Sequence, residues 1–563
     1  MNKQKLLILL ILLVAAFLRF YKLDQYPVGF HIDEASLGYN AYSLLRTAHD
    51  ENGQFLPLHI DMFGDFRPAG YQYLDILPVK LFGLTEFATR LPSALFGAAT
   101  TIAIFLLAMA IFKNKALGFL AAGLIAISPW HIVISRASAE TIVALFFIVL
   151  GAYFLLDGIR GKTKKVFWGT VFLAASLFFY HSSRVFVPML GVAFLALLYP
   201  LWKGRKKTFK LSLLLSLAVV ILLSLSLIFG TKGGAGRFQQ VSVFHFPEIR
   251  LVLEEQIRED GVMGTSVILT RTFHNKLVNY TLGYLQQYFR YFSLNYLFIE
   301  GGLPKWYAVP QMGLMYLIEL PFLLVGLYQL INKSKFWSSE KRNAEKRLFL
   351  IPVVWLILGP TIAGLTRDDV PNVQRSLVML PALTLITAYG FWDSLRLIKE
   401  KWGSLVQGLL IMTLVLIFCW NFSYFLHQYS VHSRVHQPWY RFNGFKEMVL
   451  TVNDLLPDYT KVMVTKGQGG IYMHFLLFQQ FDPREYQGLG SPKDRDYQGF
   501  GKFIFVPQDC PTGPPSNLPR EADEKVLYVV SGTCEEPPFS GENVKLIRRE
   551  DNTVAFRIFP VEP

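Results

Sequence analysis

The sequence predicts a polytopic α-helical membrane protein of about eleven transmembrane helices, followed by an extracytoplasmic α/β domain. Three observations lead to this fold class. First, 52% of the residues are hydrophobic and only 17% are charged, whereas a soluble chain has about 25% charged residues. Second, long apolar runs recur between short basic segments. Third, the last part of the chain, about 425–563, lacks such runs and contains short β-branched and aromatic stretches typical of strands.

Eleven apolar runs are close to the roughly 20 residues that cross the hydrocarbon core of a membrane as a helix. They cover about 6–20, 88–112, 116–134, 141–157, 166–180, 185–202, 211–229, 311–331, 348–365, 376–395 and 404–424. The first run has the length of a signal-peptide core. No small-residue cleavage site follows it, so we expect an uncleaved anchor.

Basic clusters lie between alternate pairs of these runs. They are found at 3–5, 113–115, 160–165, 203–210, 333–347 and 396–401. If all of them face the cytoplasm, the positive-inside rule is satisfied without exception. The N-terminus is then cytoplasmic and the C-terminal domain extracytoplasmic, in a multi-pass protein of the cell membrane. The net charge of +14 thus has a topological explanation and does not require a nucleic-acid partner.

The same map divides the chain into six parts. We expect a first transmembrane helix at 1–20, an extracytoplasmic loop with amphipathic helices at 21–87, helices two to seven at 88–229, a large extracytoplasmic loop at 230–310, helices eight to eleven at 311–424 and the extracytoplasmic α/β domain at 425–563. The cytoplasmic connections are short, so chemistry is expected outside the cytoplasm.

The tail combines strand-like and helix-like segments. Strands are expected at 461–466, 502–507, 525–530 and 552–559, and helices at 445–456 and 470–480. The second helix, which contains IYMHFLLF, is compatible with an amphipathic helix on the membrane surface. Cys510 and Cys534 lie where oxidising conditions permit a disulfide, but two free thiols are equally compatible with the sequence.

An acidic pair, Asp33 and Glu34, stands in the stretch FHIDEASLGYNAY shortly after the first span. Helix-compatible residues follow, so the pair has a simple interpretation as a helix start. A carboxylate desolvated at a membrane surface can also be tuned as a general base. The loop further carries Tyr39 and Tyr71, interpreted as surface aromatics of the kind that stack on sugars.

Other polar residues fall at the outer ends of the predicted spans. They are Arg90, Arg136, Glu140, His181, Arg184 and Arg375. Each one is compatible with snorkelling or with an ion pair between helices. As a group they suit an anionic headgroup, because the planar guanidinium of arginine can bind two phosphate oxygens at once.

Four stretches together resemble a known family. They are DE-x3-GY-x-AY at 33–42, DENGQFLPL at 50–58, RPAGYQYLDILP at 67–78 and LFGLTEFATRLPSALFGA at 81–98. This pattern is similar to the N-terminal third of bacterial members of the protein O-mannosyltransferase and aminoarabinose-transferase superfamily. These are membrane glycosyltransferases of the GT-C fold. The resemblance is weaker through 130–190 and mostly topological beyond.

The resemblance implies an enzyme that takes a sugar from a polyprenyl-phosphate or dolichyl-phosphate carrier. The sugar would pass with inversion to a hydroxyl acceptor on protein, lipid or cell-wall glycan. Asp33 would be the general base with Glu34 as its supporting neighbour, and Arg90 would hold the carrier phosphate. Glu140 falls where relatives place a second acidic residue, often an aspartate. His181 and Arg184 are weaker correspondences.

The residues support this chemistry independently of the resemblance. A lipid phosphate is already a good leaving group, so the enzyme must supply a base for the acceptor and positive charge for the phosphate. Arg90 with Arg184, Arg375 or Arg136 would supply that charge. No cofactor is expected, although His31-x-Asp33 and His59-x-Asp61 leave a divalent metal possible.

Two other classes remain open at this stage. A transporter or lipid flippase also has many spans, but no matched pair of interrupted segments indicates inverted repeats. An oligosaccharyltransferase or polymer ligase would move a preassembled glycan, but no WWDYG-like signature is present in the tail. A non-enzymatic sensor would not need the arginines at the span ends. The donor sugar and the acceptor are not determined by the sequence.

Overall fold

The computed structural model describes residues 3–231, 247–334, 341–366, 368–467, 469–493, 499–511, 524–535 and 543–561. Parts of the predicted loop 230–310 and of the tail lie outside these residues. The chain divides into two compact units. The helical unit comprises 1–18, 96–134 and 140–425, and the sheet unit comprises 19–95, 135–139 and 426–563. Each unit is described by itself.

Most of the helical unit consists of apolar helices joined by short turns. The helices with residues in it are α1 Lys3–Phe20, α4 Glu86–Phe112, α5 Lys115–Ile127, α6 Pro129–Ser135, α7 Glu140–Ile159, α8 Thr163–Ser176, α9 Ser183–Leu197, α10 Tyr199–Trp202, α11 Lys207–Phe229, α12 Pro247–Val262, α13 Val267–Phe273, α14 Lys276–Arg290, α15 Glu319–Ser334, α16 Ile351–Leu358 and α17 Leu380–His427. Within the described residues, five helical stretches are long and apolar enough to cross a membrane, or six if the bent pair α5 and α6 forms one span. The prediction of eleven spans therefore stays a prediction.

Several predicted spans are interrupted in the structure. The run 116–134 bends by 56° between α5 and α6, where Pro129 starts a new helix. The run 311–331 is an α-helix only from Glu319 onwards. The runs 376–395 and 404–424 are separated by a kink at Gly403, whose φ of 85° breaks the helix between them, as expected from two separate runs. Hydropathy thus located the break at Gly403 but not the bend before Pro129.

The first part of the sheet unit surrounds the acidic pair. It contains α2 Ile32–Thr47, the antiparallel hairpin β1 His59–Met62 and β2 Asp65–Pro68, and α3 Gly70–Phe82. The predicted amphipathic loop 21–87 therefore folds into two helices and a hairpin.

The tail forms a five-stranded mixed sheet with strand order β4-β3-β5-β7-β6. Its elements are α18 Ser433–Val435, α19 Phe445–Leu455, β3 Lys461–Thr465, α20 Tyr472–Phe478, α21 Pro483–Gly488, β4 Phe503–Val506, β5 Val526–Ser531, β6 Lys545–Arg548 and β7 Val554–Val561. Strand β3 pairs in parallel with β4 and β5, whereas β7 pairs antiparallel with β5 and β6. Cys510 and Cys534 form a disulfide with a Cα–Cα distance of 5.8 Å.

Helix α2 and the tail share one hydrophobic core inside the sheet unit. Ala35 and Tyr39 of α2 belong to the same buried cluster as Met448 of α19 and Phe475 of α20. The interpretation of α20 as a membrane-surface helix is wrong, because Tyr472–Leu477 are all buried. A helix that is apolar on every side belongs in a core. This packing fixes the start of α2 against the tail.

Candidate functional site

The acidic pair lies in the first turn of α2, which is closed by a capping box. The Nδ1 atom of His31, the N-cap residue, accepts a hydrogen bond from the backbone N–H of Asp33 at 3.1 Å. The Glu34 carboxylate accepts one from the backbone N–H of His31 at 3.2 Å. Burial lowers the pKa of His31, so its ring is neutral and Nδ1 can act as this acceptor. The helix-start interpretation is confirmed.

Both carboxylate oxygens of Glu34 accept hydrogen bonds inside the protein. Its carboxylate accepts bonds from Arg90 Nε at 2.9 Å and Arg90 Nη2 at 3.1 Å, and from the backbone N–H and hydroxyl of Ser138 at 3.0 and 3.2 Å. Burial alone would raise the pKa of Glu34, but Arg90 and these hydrogen bonds hold the pKa below its ordinary value. These contacts favour the ionised form of Glu34 and indicate a structural role for it.

Arg90 is buried beneath the segment that precedes α2. Besides Glu34, it donates to the carbonyl oxygens of Leu23 and Pro27 at 3.1 Å each and of Gly29 at 2.7 Å. These bonds use all five N–H groups of the guanidinium. In this conformation Arg90 has no N–H left for a phosphate. The geometry makes Arg90 a positioning residue for Glu34 and the 23–29 segment, in place of the predicted phosphate ligand.

Asp33 has the opposite environment from its neighbour. Its side chain is 22% exposed, and Oδ2 accepts a bond from Arg67 Nη2 at 3.1 Å. The same oxygen lies 3.7 Å from His31 Nδ1. Asp33 is the carboxylate of the pair that a substrate can reach.

Arg67 was not among the site residues predicted from the sequence. It lies on β2, where Nε also donates to Asp65 Oδ2 at 3.1 Å, and its side chain is 25% exposed. The hairpin β1–β2 therefore brings a partly exposed guanidinium to the reachable carboxylate. Arg67 is the first residue of the stretch RPAGYQYLDILP, which the sequence analysis singled out. The sequence does not show that Arg67 lies beside Asp33, because the rest of α2 and all of β1 separate the two residues along the chain.

Arg136 belongs to the short segment 135–139, which lies in the sheet unit together with the acidic pair. Its Nη2 donates to the carbonyl oxygens of Tyr21, Lys22 and Tyr26 at 2.8 to 3.2 Å. Its guanidinium also lies 5.9 Å from the centre of the Tyr429 ring. Arg136 thus anchors the chain that leads from α1 to α2.

Four further predicted residues lie in the helical unit. Arg184 at the start of α9 donates to the carbonyls of Leu177 and Leu227 and lies 3.3 Å from His181 Nδ1. Its Nη2 atom is buried and has no hydrogen-bond partner within the described part of the chain. Such an atom is suited to an anionic ligand.

The other two have different surroundings. Arg375 donates to the hydroxyl of Thr366 at 2.8 Å and to the backbone oxygen of Asp368 at 2.5 Å. Glu140 is buried in the first turn of α7. The helical unit therefore holds its own set of candidate charges.

The prediction that Tyr39 and Tyr71 are surface aromatics is wrong. Both are completely buried. The hydroxyl of Tyr39 donates to the Phe481 carbonyl at 3.2 Å, and that of Tyr71 donates to the Thr89 carbonyl at 2.7 Å. Their apolar rings fill the core while the hydroxyls are satisfied by backbone, which amphipathicity of the loop does not reveal.

Two buried carboxyl groups near α2 were also missed. Glu51 accepts bonds from Asn40 Nδ2 at 3.3 Å and from the Tyr472 hydroxyl at 3.1 Å, and burial raises its pKa to about 7. Asp75 on α3 is fully buried, and neither of its oxygens has a hydrogen-bond partner among the described residues. Burial raises the pKa of Asp75 well above its ordinary value, which favours the neutral form of this carboxyl group.

No group of three or more His, Cys, Asp or Glu residues suited to a metal ion occurs in the described ranges. Of the two His-x-Asp pairs, His31 uses Nδ1 for the helix cap. The absence of a metal requirement stays a prediction.

Comparison with known proteins agrees with this architecture. Residues 9–233 match the family model described as dolichyl-phosphate-mannose-protein mannosyltransferase. An uncharacterised protein of Aquifex aeolicus is 26% identical over 217 residues, which cover 38% of this chain and 42% of that protein.

Solved structures extend the comparison to the whole chain. ArnT from Cupriavidus metallidurans bound to undecaprenyl phosphate superposes with a TM-score of 0.53 at 11% identity, covering 98% of this chain and 97% of ArnT. The chain has the GT-C fold. A second GT-C structure, the oligosaccharyltransferase AglB from Archaeoglobus fulgidus in complex with an inhibitory peptide and a dolichol-phosphate, gives a TM-score of 0.50 at 12% identity. That match covers 85% of this chain but 63% of AglB.

The resemblance found in the sequence is therefore confirmed. The fold class, a helical membrane protein of GT-C type with a sheet-containing C-terminal region, is confirmed as well. The matching family model is described as a mannosyltransferase, and AglB is described as an oligosaccharyltransferase.

Proposed function

We propose that this GT-C protein is a glycosyltransferase that moves a sugar from a polyprenyl-phosphate carrier to a hydroxyl acceptor on the extracytoplasmic face. The observation that carries the proposal is the unequal acidic pair. Glu34 is buried and locked by Arg90, whereas Asp33 is partly exposed beside the guanidinium of Arg67. This difference supports a structural role for Glu34 and leaves Asp33 as the proposed group for proton transfer.

The proposed reaction is a single displacement. An Asp33 carboxylate oxygen takes the proton of the acceptor hydroxyl while the acceptor oxygen bonds to the anomeric carbon. The bond between that carbon and the phosphate oxygen breaks, and the carrier phosphate leaves with the electron pair. Attack opposite to the leaving group inverts the anomeric centre and needs no covalent sugar–enzyme intermediate.

Arg67 is the proposed partner of the carrier phosphate in the sheet unit. The guanidinium of Arg67 is partly exposed and lies beside Asp33. The guanidinium of Arg90, by contrast, donates all of its hydrogen bonds within the protein. A phosphate that attracts Arg67 would weaken its ion pair with Asp33. Since a neighbouring cation lowers the basicity of a carboxylate, donor binding would make Asp33 a better base. The sequence-based assignments of Arg184 and Arg375 to a phosphate stay predictions.

Turnover of radiolabelled polyprenyl-phosphate sugars by the purified protein, with crude membranes as acceptor, tests the assignment. Asp33→Asn should lose at least about 100-fold in rate, as expected when a general base is removed. Asp61→Asn is the matched control, because its side chain is 26% exposed and pairs with Lys493 at 3.6 Å in the same unit. Wild-type turnover by Asp33→Asn would refute the base assignment.

Arg67→Ala should raise the KM for the donor more than it lowers kcat at saturating donor. The reason is that the guanidinium is proposed to bind the carrier phosphate before reaction as well as during it. An unchanged KM would remove Arg67 from the donor site. Movement of carrier lipid across vesicle membranes without sugar transfer by the wild-type protein would instead support the flippase alternative.

A further inference from the structure

A cavity of about 340 Å³ lies within the sheet unit, apart from the exposed side of Asp33. The segment 24–30, Glu86 at the start of α4, and residues of the tail form its walls. Its volume is at the lower end of the range for small-molecule sites, about 300–1,000 Å³. The main-chain turn at Gly29 is part of the wall, and a side chain there would collide with the carbonyl oxygen of Arg441.

His474, which belongs to the lining of the cavity, has a buried acceptor atom. The Nε2 atom of His474 lies 2.9 Å from the Phe30 carbonyl oxygen, so Nε2 carries the hydrogen and donates it. Nδ1 then has a lone pair, and it has no hydrogen-bond partner among the residues that the structure describes. Burial lowers the pKa of His474 to about 4, which keeps the ring neutral. A buried acceptor is costly unless a donor reaches it.

Aromatic rings surround this acceptor. The rings of Phe442 and Phe478 are stacked with that of His474, with centroids at 5.3 and 6.2 Å. Phe30 and Tyr26 belong to the same lining. Apolar rings combined with a few fixed polar atoms are the usual composition of a site for a small, partly polar ligand.

The charge of the lining disfavours phosphate. Four carboxylates (Asp24, Glu86, Glu447 and Glu550) face two cations (Arg434 and Lys446), which gives a formal charge of −2. Lys446 pairs with Glu86 at 2.6 Å and Arg434 pairs with Glu550 at 2.9 Å. Both cations are therefore neutralised within the protein, and two carboxylates remain to accept hydrogen bonds from a ligand.

We propose that this cavity is a saccharide-binding site for one or two sugar units that are uncharged or carry an amino group. Sugar hydroxyls would donate to Glu447 and, after a rotation of the His474 ring towards the cavity, to His474 Nδ1, and the apolar face of the sugar would lie against the aromatic wall. The site is separate from the proposed donor site, because its charge opposes a carrier phosphate. It goes beyond the proposed sugar transfer and does not require it.

The cavity is nevertheless joined to the segment that carries Asp33. The ring of Phe442 contacts the ring of His31 edge-on at a centroid distance of 5.0 Å. His31 in turn caps the backbone of Asp33. A saccharide bound in the cavity would thus lie against Phe442, whose ring contacts the side chain that caps α2.

Saturation-transfer NMR on the full-length protein in nanodiscs tests the proposal with glucose, mannose, glucosamine and mannose 1-phosphate as probes. We expect the three sugars without phosphate to bind and mannose 1-phosphate to bind about tenfold more weakly or not at all. His474→Phe should weaken binding of all three by about tenfold through loss of the acceptor. Glu447→Gln should weaken glucosamine more than glucose.

The matched control is Asp454→Asn, an exposed carboxylate on the same helix α19 as Glu447 but outside the cavity lining. It should leave all binding unchanged. Because Glu447 is exposed, Glu447→Gln should not affect folding. This variant therefore tests the site even if His474→Phe does not fold. Asp33→Asn should bind sugars normally, so failure of transfer and failure of this site are distinguishable. Equal binding by wild type and Glu447→Gln for glucosamine, or tighter binding of mannose 1-phosphate, would overturn the proposal.

Discussion

Two adjacent carboxylates in one helical turn have opposite environments in this protein. Glu34 points into the core and meets Arg90 and Ser138, whereas Asp33 stays at the surface beside Arg67. The sequence predicted the helix start and the unequal roles. It could not predict which cation serves which carboxylate, because that depends on contacts 56 residues and 34 residues away along the chain.

The buried pair makes a clear stability prediction. Glu34→Gln leaves the Arg90 guanidinium buried at 0% exposure without its counter-ion, which costs about 3–5 kcal/mol when a buried pair loses one partner. We expect a markedly lower thermal midpoint, measured by tryptophan fluorescence in detergent. Glu254→Gln breaks a solvent-exposed pair with Arg250 and should leave the thermal midpoint almost unchanged. Equal midpoints for both variants would contradict the structural role of Glu34.

At the scale of elements, residue composition predicted the strands more accurately than hydropathy predicted where the membrane spans are interrupted. The four expected strands are all present, since each is short, β-branched and buried. Strand β6 was missed because Lys545 and Arg548 give it a polar sequence, and it forms only as the edge partner of β7. The bend within the run 116–134 depends on the single residue Pro129, so the length of the run did not reveal it.

Glu51 links two elements of the sheet unit and gives them a pH dependence. It follows α2 and accepts the hydroxyl of Tyr472 on α20. Its pKa of about 7 in the fold is above the value near 4.3 of an unfolded glutamate. The contribution of this group to stability is therefore complete below about pH 4.3 and is lost as the pH rises through about 7.

Glu51→Gln should remove that pH dependence. Between pH 5 and pH 8 the wild type should lose roughly 3 kcal/mol more stability than the variant, since each pKa unit corresponds to about 1.4 kcal/mol. Denaturant midpoints at the two pH values measure the difference. Glu485→Gln, an exposed residue on α21, is the control and should follow the wild type. A Glu51→Gln variant that follows the wild type too would show that Glu51 is already ionised at pH 5.

At the scale of the whole molecule, the disulfide and the distribution of basic residues both predict which side of the membrane the tail faces. The Cys510–Cys534 bond belongs to the tail, and Cys419 is a free cysteine on α17. Structural disulfides persist in oxidising compartments. We expect a denatured, unreduced sample to take up one polyethylene-glycol maleimide and a reduced sample to take up three. Cys534→Ser should expose a second reactive thiol without reduction, and three additions before reduction would place the tail in a reducing environment.

The orientation in the membrane can be tested at four lysines. In a Cys419→Ala background, single cysteines would replace Lys206, Lys305, Lys399 and Lys545, all of which are exposed. Because basic connections stay in the cytoplasm, positions 206 and 399 should react with a membrane-impermeant maleimide only after permeabilisation. Positions 305 and 545 should react in intact cells. This outcome would put Asp33 and the saccharide cavity on the same side as the tail, because all three belong to the sheet unit. Reaction at 206 in intact cells would reverse the topology and remove the extracytoplasmic assignment of the proposed chemistry.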